Sequence, residues 1–224
     1  MTFVRLLLAG AAAATIGMLS TGAQASNLVT NGSFEDATNF VDNGQDTMQV
    51  ALASTLMTGW TVIGGHDTAW IGPTNPFSLS ASDGRYFQDL TSYYTGGPFS
   101  GVSQSIATQA GHHYLLTFDL GSSTIWGLPS AIQASAGASS QTFTSTLSTT
   151  NGWEGESLAF TASGASTNLS LLGTSGFNYI GLDNVSVVDV GGVPEPATWT
   201  MMLIGFGGLG AALRSRRKSA ALAA

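Results

Sequence analysis

The side chains able to do chemistry in this 224-residue chain are few. Its three histidines are His66, followed by Asp67, and the adjacent His112 and His113. Neighbouring residues on a strand point to opposite faces, so His112 and His113 do not ligate one metal without a bend. Cysteine is absent, which removes thiol chemistry and disulfides together. A serine nucleophile needs a base and a sharp elbow such as Gly-x-Ser-x-Gly, and residues 26–190 contain none. Glu154 and Glu156 share a face of one strand-like run. Carboxylates cut glycosidic bonds only when two of them flank one cleft, for which Glu154 would have to meet a partner such as Asp119. We expect no enzyme. Aromatics are the better ligand candidates, because sugar rings stack on the flat faces of indoles and phenols. Trp70, Tyr93, Tyr94 and Trp126 lie near glycine and proline in loop-like sequence, although packing beneath the loop is the commoner role for any one of them. Trp60 and Trp153 begin strand-like runs and read as core.

These residues must be positioned by strands. In His113–Leu120, Tyr114, Leu116, Phe118 and Leu120 alternate with His113, Leu115, Thr117 and Asp119, which predicts a half-buried strand with the first set inward. Similar short runs cover 27–29, 59–63, 68–71, 85–90, 101–107, 131–136, 141–147, 156–162, 167–172 and 178–190, separated by turn signals such as Asn31-Gly32 and Asp83-Gly84. Met48–Met57 reads either as a short helix or as an irregular crossing. With no long amphipathic helix and no fixed-period repeat, the expected class is all-β, a two-sheet β-sandwich or jelly roll. The apolar phase slips at Asp183-Asn184: Ile180 and Leu182 share one face, and Val185 and Val187 fall on the other. A bulge there resolves the slip.

Within residues 26–190 twelve acidic side chains face one cation, Arg85, a balance of −11 where the whole chain has −7. Such a surface repels nucleic acid and anionic lipid and attracts cations. Ser, Thr, Gly and Asn dominate where charge is missing, as suits an extracellular β-domain.

The two ends read differently. Met1–Ala25 has Arg5, an apolar stretch from Leu6 to Leu19 and Ala23-Gln24-Ala25 before Ser26, the layout of a secretory signal peptide. At the other end, Pro194-Glu195-Pro196 precedes an uncharged run, Ala197–Leu213, and then Arg214, Arg216, Arg217 and Lys218. Seventeen residues at about 1.5 Å each nearly span a hydrocarbon core of about 30 Å. The prolines fix the start of this transmembrane helix. Trp199 falls at headgroup depth, and the basic cluster 214–218 holds the end in the cytoplasm. Residues 191–224 in this order resemble the PEP-CTERM protein-sorting tail in its PEPxxWA variant, with Thr200 where that variant has Ala. The resemblance implies an exosortase as partner. It also implies a transient inner-membrane anchor with the ectodomain outside, and release to the cell surface or medium. Pro194, Glu195, Pro196, Trp199, Arg214, Arg216 and Arg217 are then substrate features.

Residues 26–190 carry a second resemblance. Asn27-Leu28-Val29-Thr30-Asn31-Gly32-Ser33-Phe34-Glu35, Gly59-Trp60, Gly101–Ile106 with Gly111–Phe118, and Tyr179–Val187 resemble galactose-binding-like jelly rolls of the carbohydrate-binding-module type. The resemblance implies that the first and last strands are neighbours. It also implies that they hold a structural Ca²⁺, carried here by Glu35 and Asp183; the ion takes six to eight oxygens from carboxylates, amides and carbonyls. The function expected from all this is an exported surface or matrix protein whose β-sandwich associates with extracellular polysaccharide. A purely structural surface protein is the alternative, and an exported hydrolase a distant third.

Overall fold

The computed structural model describes residues 26–127, 129–147, 151–192 and 204–206. The signal peptide (1–25), the sorting residues Pro194, Glu195, Pro196, Trp199, Arg214, Arg216 and Arg217, and all but 204–206 of the helix at 197–213 lie outside these. Among the described residues no helix is long and apolar enough to cross a membrane.

Two antiparallel sheets face each other. The first has six strands in the order β1 (Thr47–Val50), β3 (Thr68–Ile71), β4 (Phe87–Asp89), β11 (Gly181–Gly192), β6 (His112–Ser123) and β9 (Asn151–Thr161). The second has five, β2 (Thr61–Gly64), β5 (Ser100–Ala107), β10 (Ser166–Ser175), β7 (Ala131–Ala136) and β8 (Ser139–Thr144). The protein is an all-β, two-sheet sandwich of jelly-roll type. In β10 hydroxylated and small residues on alternate positions leave one face for water and the other for the core.

The alternation in β6 comes out as the sequence predicts. Tyr114, Leu116, Phe118 and Leu120 are all buried, whereas His113 is exposed and Leu115 and Thr117 are half-buried. Between the sheets they meet Leu169 and Leu171 of β10 and Trp60, Val62 and Val102 in one cluster. Phe118 packs edge-on against Phe143 of β8 at 5.4 Å. The bulge in β11 is present too: its register against β6 shifts between Asp183 and Ser186, and Asn184 adopts φ 50°. Asparagine is one of the few residues that tolerates this left-handed conformation. The extra residue returns Val185 and Val187 to the core beside Leu182, all three buried.

Two local expectations change. Asn27–Val29 runs beside β11 but is not a strand: the Asn27 carboxamide accepts from the amides of Val29 and Val187, substituting a side chain for ladder carbonyls. Leu28 N still donates to Val187 O and Val185 N to Gly32 O, so the first and last segments are neighbours. Met48–Met57, open between helix and crossing, completes β1 and then turns back.

Sheet one is packed on both faces. Residues directly opposite on paired strands share a face. Ala69, Asp89, Gly181, Gly121 and Trp153 therefore form one row across its outer side. There Ala69, Ile71, Phe87 and Tyr179 join Leu79, with Phe77, Trp126 and Trp153 at the edge, in a second apolar cluster separate from the main core. The loop 72–82 roofs this cluster. Its polar backbone is hooked from four directions: Trp126 Nε1 donates to Phe77 O (3.2 Å), Trp153 Nε1 to Ser80 O (2.9 Å), Thr74 N to Asp46 Oδ2 (2.5 Å) and Ser82 N to Asp183 Oδ2 (2.8 Å).

Candidate ligand-binding cavity

A cavity of about 270 Å³ opens in this outer cluster. Ala69 and Ile71 of β3 and Asp89 of β4 form its floor, Phe77 and Leu79 of the roofing loop one wall, and Ser92, Tyr93 and Tyr94 another. Trp126 and Asn178 complete it. The volume is near the lower end of small-ligand pockets.

Each wall has a local cause. Asp89-Leu90-Thr91 ends β4 in a turn where Asp89 Oδ1 accepts from Thr91 N (2.9 Å), Thr91 Oγ1 (2.9 Å) and Ile180 N (3.1 Å). This turn projects Ser92, Tyr93 and Tyr94 over the floor. Tyr93 hydroxyl accepts from Asn43 Nδ2 at 2.9 Å and bonds to Thr47 Oγ1 on β1. Tyr94 stacks on His66 with ring centres 4.3 Å apart. His66 is itself held by Ser100 Oγ (3.0 Å), so the Tyr94 ring stands on a buttress while remaining 49% exposed. Trp126 lies edge-on to Phe77 at 5.7 Å, half-buried, and its carbonyl accepts from Asn178 N. Two glycines make the floor possible: a Cβ at Gly121 or Gly181 would run into the Tyr179 hydroxyl and the Trp153 indole.

The electrostatics are acidic and dry. Burial pushes the Asp89 carboxyl from the ordinary 3.8 up to about 7, and its hydrogen bonds to Thr91 and Ile180 recover only part of that. Burial also raises the Tyr179 phenol well above 10, with Asp89 and then Asp183 adding to the shift. Ser92 Oγ donates to Asp67 Oδ2 (3.1 Å).

The sequence candidates divide accordingly. Tyr93, Tyr94 and Trp126 come together around one cavity. Trp70 does not: it is fully buried in the main core, edge-on to Phe40 and Tyr86, with Nε1 donating to Phe34 O. Strand alternation explains the correction, since Ala69 and Ile71 take the outer face and send Trp70 inward. Asp89 and Asn178 line the cavity without having been singled out. The Asp-x-Thr turn and the two flanking tyrosines were the available signal for Asp89.

Glu35 and Asp183 grip opposite ends of one turn, but with the wrong polarity for a cation. Glu35 Oε1 accepts from Arg85 N and Tyr86 N (2.6 Å each). Asp183 Oδ2 accepts from Ser82 N (2.8 Å), Asp83 N (3.0 Å) and Ser82 Oγ (3.2 Å), and Oδ1 from Asn184 N (2.7 Å). Calcium needs a shell of oxygens, and these carboxylates meet N–H donors. Among the described residues no three His, Asp or Glu side chains are grouped to hold a metal. As placed, the pair does not fit calcium; it clamps the turn that leads into β4. Burial pushes Asp183 up to about 7 as well, its hydrogen bonds to Asp83, Asn184 and Ser82 opposing the rise.

Glu154 and Asp119 do not share a cleft. Glu154 lies opposite Leu120, on the inward side at the sheet edge, and accepts from Thr146 Oγ1 (2.6 Å). Asp119 lies on the outer face, its Oδ2 taken by Ser82 Oγ (2.7 Å) and Asn184 Nδ2 (3.2 Å).

Comparison with known proteins places the chain. No curated protein matches it. Solved structures similar in outline include a family 61 carbohydrate-binding module in complex with β-1,4-galactotriose (17% identity, 73% of this chain and 99% of the other, TM-score 0.40). Others are a family 16 carbohydrate-binding module (18%, 72% and 99%, 0.38) and the CBM22-1 xylan-binding domain from Paenibacillus barcinonensis (14%, 68% and 100%, 0.42). At that identity and with TM-scores below 0.5 they are a likeness of outline only. A PEP-CTERM protein-sorting motif occupies residues 192–218, which marks an exported protein. The family described as "Protein of unknown function (DUF642)" matches residues 27–177, two thirds of the sequence, and the chain belongs to it.

Proposed function

We propose that this exported protein associates with extracellular polysaccharide through the cavity of Tyr93, Tyr94 and Trp126. One observation carries the reading: three aromatic side chains from two separate loops converge on one cavity, two of them exposed, beside an amide and a carboxylate. Flat apolar faces with a few convergent polar groups are what a sugar ring, apolar on its faces and hydroxylated on its rim, requires. An exosortase reading Pro194-Glu195-Pro196 would release the domain to the cell surface or the medium, where such polymers are found.

The test is co-sedimentation of the full chain, in detergent micelles, with insoluble polysaccharides, followed by titration with soluble ones. Wild type binds at least one polymer. Tyr94→Ala and Trp126→Ala each weaken that binding about fivefold or more, since a well-packed aromatic anchor is worth over about 1 kcal/mol. Unchanged binding in both variants rejects the cavity as the site.

A further inference from the structure

The proposed site has a charge preference built into it. Its only formally charged lining residue is Asp89; no lysine, arginine or histidine lines it. All three hydrogen bonds that hold this carboxylate go to Oδ1, and among the described residues none reaches Oδ2. Oδ2 is the acceptor left for a ligand. Nearby, Ser92 gives its hydrogen to Asp67, placing a second carboxylate behind the wall. Asn178 Oδ1 accepts from Thr95 Oγ1 (2.8 Å), which leaves the Nδ2 hydrogens as donors toward the cavity. The one arginine of the described residues, Arg85, sits in the turn clamped by Glu35 and does not line the cavity.

We propose that the cavity selects uncharged saccharide units, taking a sugar hydroxyl as donor to Asp89 Oδ2 and rejecting uronate or sulfate groups. The inference rests on the polysaccharide reading above and names its ligand class. With the Asp89 carboxyl ionised, above about pH 7, a hydroxyl supplies the proton that Oδ2 lacks. A ligand carboxylate supplies none and meets a like charge in a poorly solvated site, with no cation to pair it. The volume, small among ligand pockets, fits a short stretch of chain or a chain end better than a long segment.

The experiment titrates the full chain in detergent micelles at about pH 8, where Asp89 is mostly ionised, with a neutral galactan, a neutral β-glucan and a neutral xylan. In parallel it uses polygalacturonate and the same polymer with its carboxylates methyl-esterified. Neutral polymers are expected to bind at least tenfold tighter than polygalacturonate, and esterification to restore affinity wherever the galacturonan backbone is accepted. Asp89→Asn is expected to weaken neutral binding and to narrow the gap between acidic and neutral polymers. Equal or tighter binding of polygalacturonate overturns the inference while leaving the polysaccharide reading standing. So does an Asp89→Asn protein that keeps the wild-type preference. No binding to any polymer, or binding indifferent to Tyr94→Ala and Trp126→Ala, overturns the polysaccharide reading itself and this inference with it. The esterified form differs from the free one by the lost charge and one small methyl per unit, so the comparison stands even if Asp89→Asn fails to fold.

Discussion

The two faces of the six-stranded sheet solve different problems with the same strands. The inner face is mainly apolar: Trp70, Leu182, Leu120, Phe118 and Leu116 close against the second sheet, with the buried Gln88 amide as a neutral polar exception. The outer face buries charge. It buries Phe87, Tyr179 and Ile71, but among them it also buries Asp89 and Asp183, and it is roofed by a loop instead of a sheet. A buried carboxylate costs free energy that an aliphatic side chain would not. The inner face is where the sequence invests in stability, and the outer face is where it tolerates an electrostatic penalty. That difference is the physical basis for placing the site outside.

The largest effect should come from the inner face. Phe118→Ala removes a buried ring and is expected to destabilise by about 3–5 kcal/mol, seen as a lower denaturation midpoint. An effect under about 1 kcal/mol would mean that this face does not carry the fold. On the outer face, Gly181→Ala places a methyl against the Tyr179 hydroxyl and the Trp153 indole, and overpacking of this kind costs about 1–3 kcal/mol. Adding Tyr179→Phe removes the closest of three clashes, leaving those with Gly121 Cα and Trp153, and should recover part of the loss. A neutral Gly181→Ala would show that the outer cluster is loosely packed.

pH separates the faces further. Asp89 and Asp183 have folded values near 7 against 3.8 when unfolded. The folded chain then binds more protons than the unfolded one between about pH 4 and 7. Stability from these groups is therefore full below pH 4 and declines as pH rises through 7, by at most about 1.4 kcal/mol per pH unit for one carboxyl. Asp36, Glu154 and Asp189 act oppositely: hydrogen bonds to Thr38, Thr146 and His112 lower them, so their contribution is lost only in more acid solution. Melting curves from pH 5 to 8 should fall for wild type and fall less for Asp89→Asn. Parallel curves would mean that Asp89 is not buried in its charged form. The smallest expected effect is that of calcium. Excess calcium and chelator should give the same melting temperature, because Glu35 and Asp183 already face amide donors; a rise abolished by Asp183→Ala would restore the ion to this turn.

The inner face was legible in the sequence and the outer only in part. Alternation in Tyr114–Leu120 is a local signal, and so is the phase slip at Asp183-Asn184, because both are written in consecutive residues. The cavity is not local. Tyr93 and Tyr94 meet Trp126 across some thirty residues because strand pairing joins Ala69, Asp89, Gly181 and Gly121 into one row. Trp70 illustrates the opposite error: the strand at 68–71 was expected, but the glycine- and proline-rich flank suggested an exposed ring, and four buried positions in succession on β3 reveal a strand packed on both faces. The carboxylates at 35 and 183 were read together as calcium ligands, whereas both accept from the amides of one turn. Their partners, the amides of a turn fifty and a hundred residues away, are set by the fold.

The central claim is that ligand lies on the outer face of this sheet. Hydrogen exchange of the full chain, with and without a neutral oligosaccharide from the polymer it binds, tests this most directly. The account predicts slowed exchange at 91–97 and 176–180, with β9 unchanged. Protection confined to β9 or to the second sheet, with 91–97 exchanging as before, would contradict it.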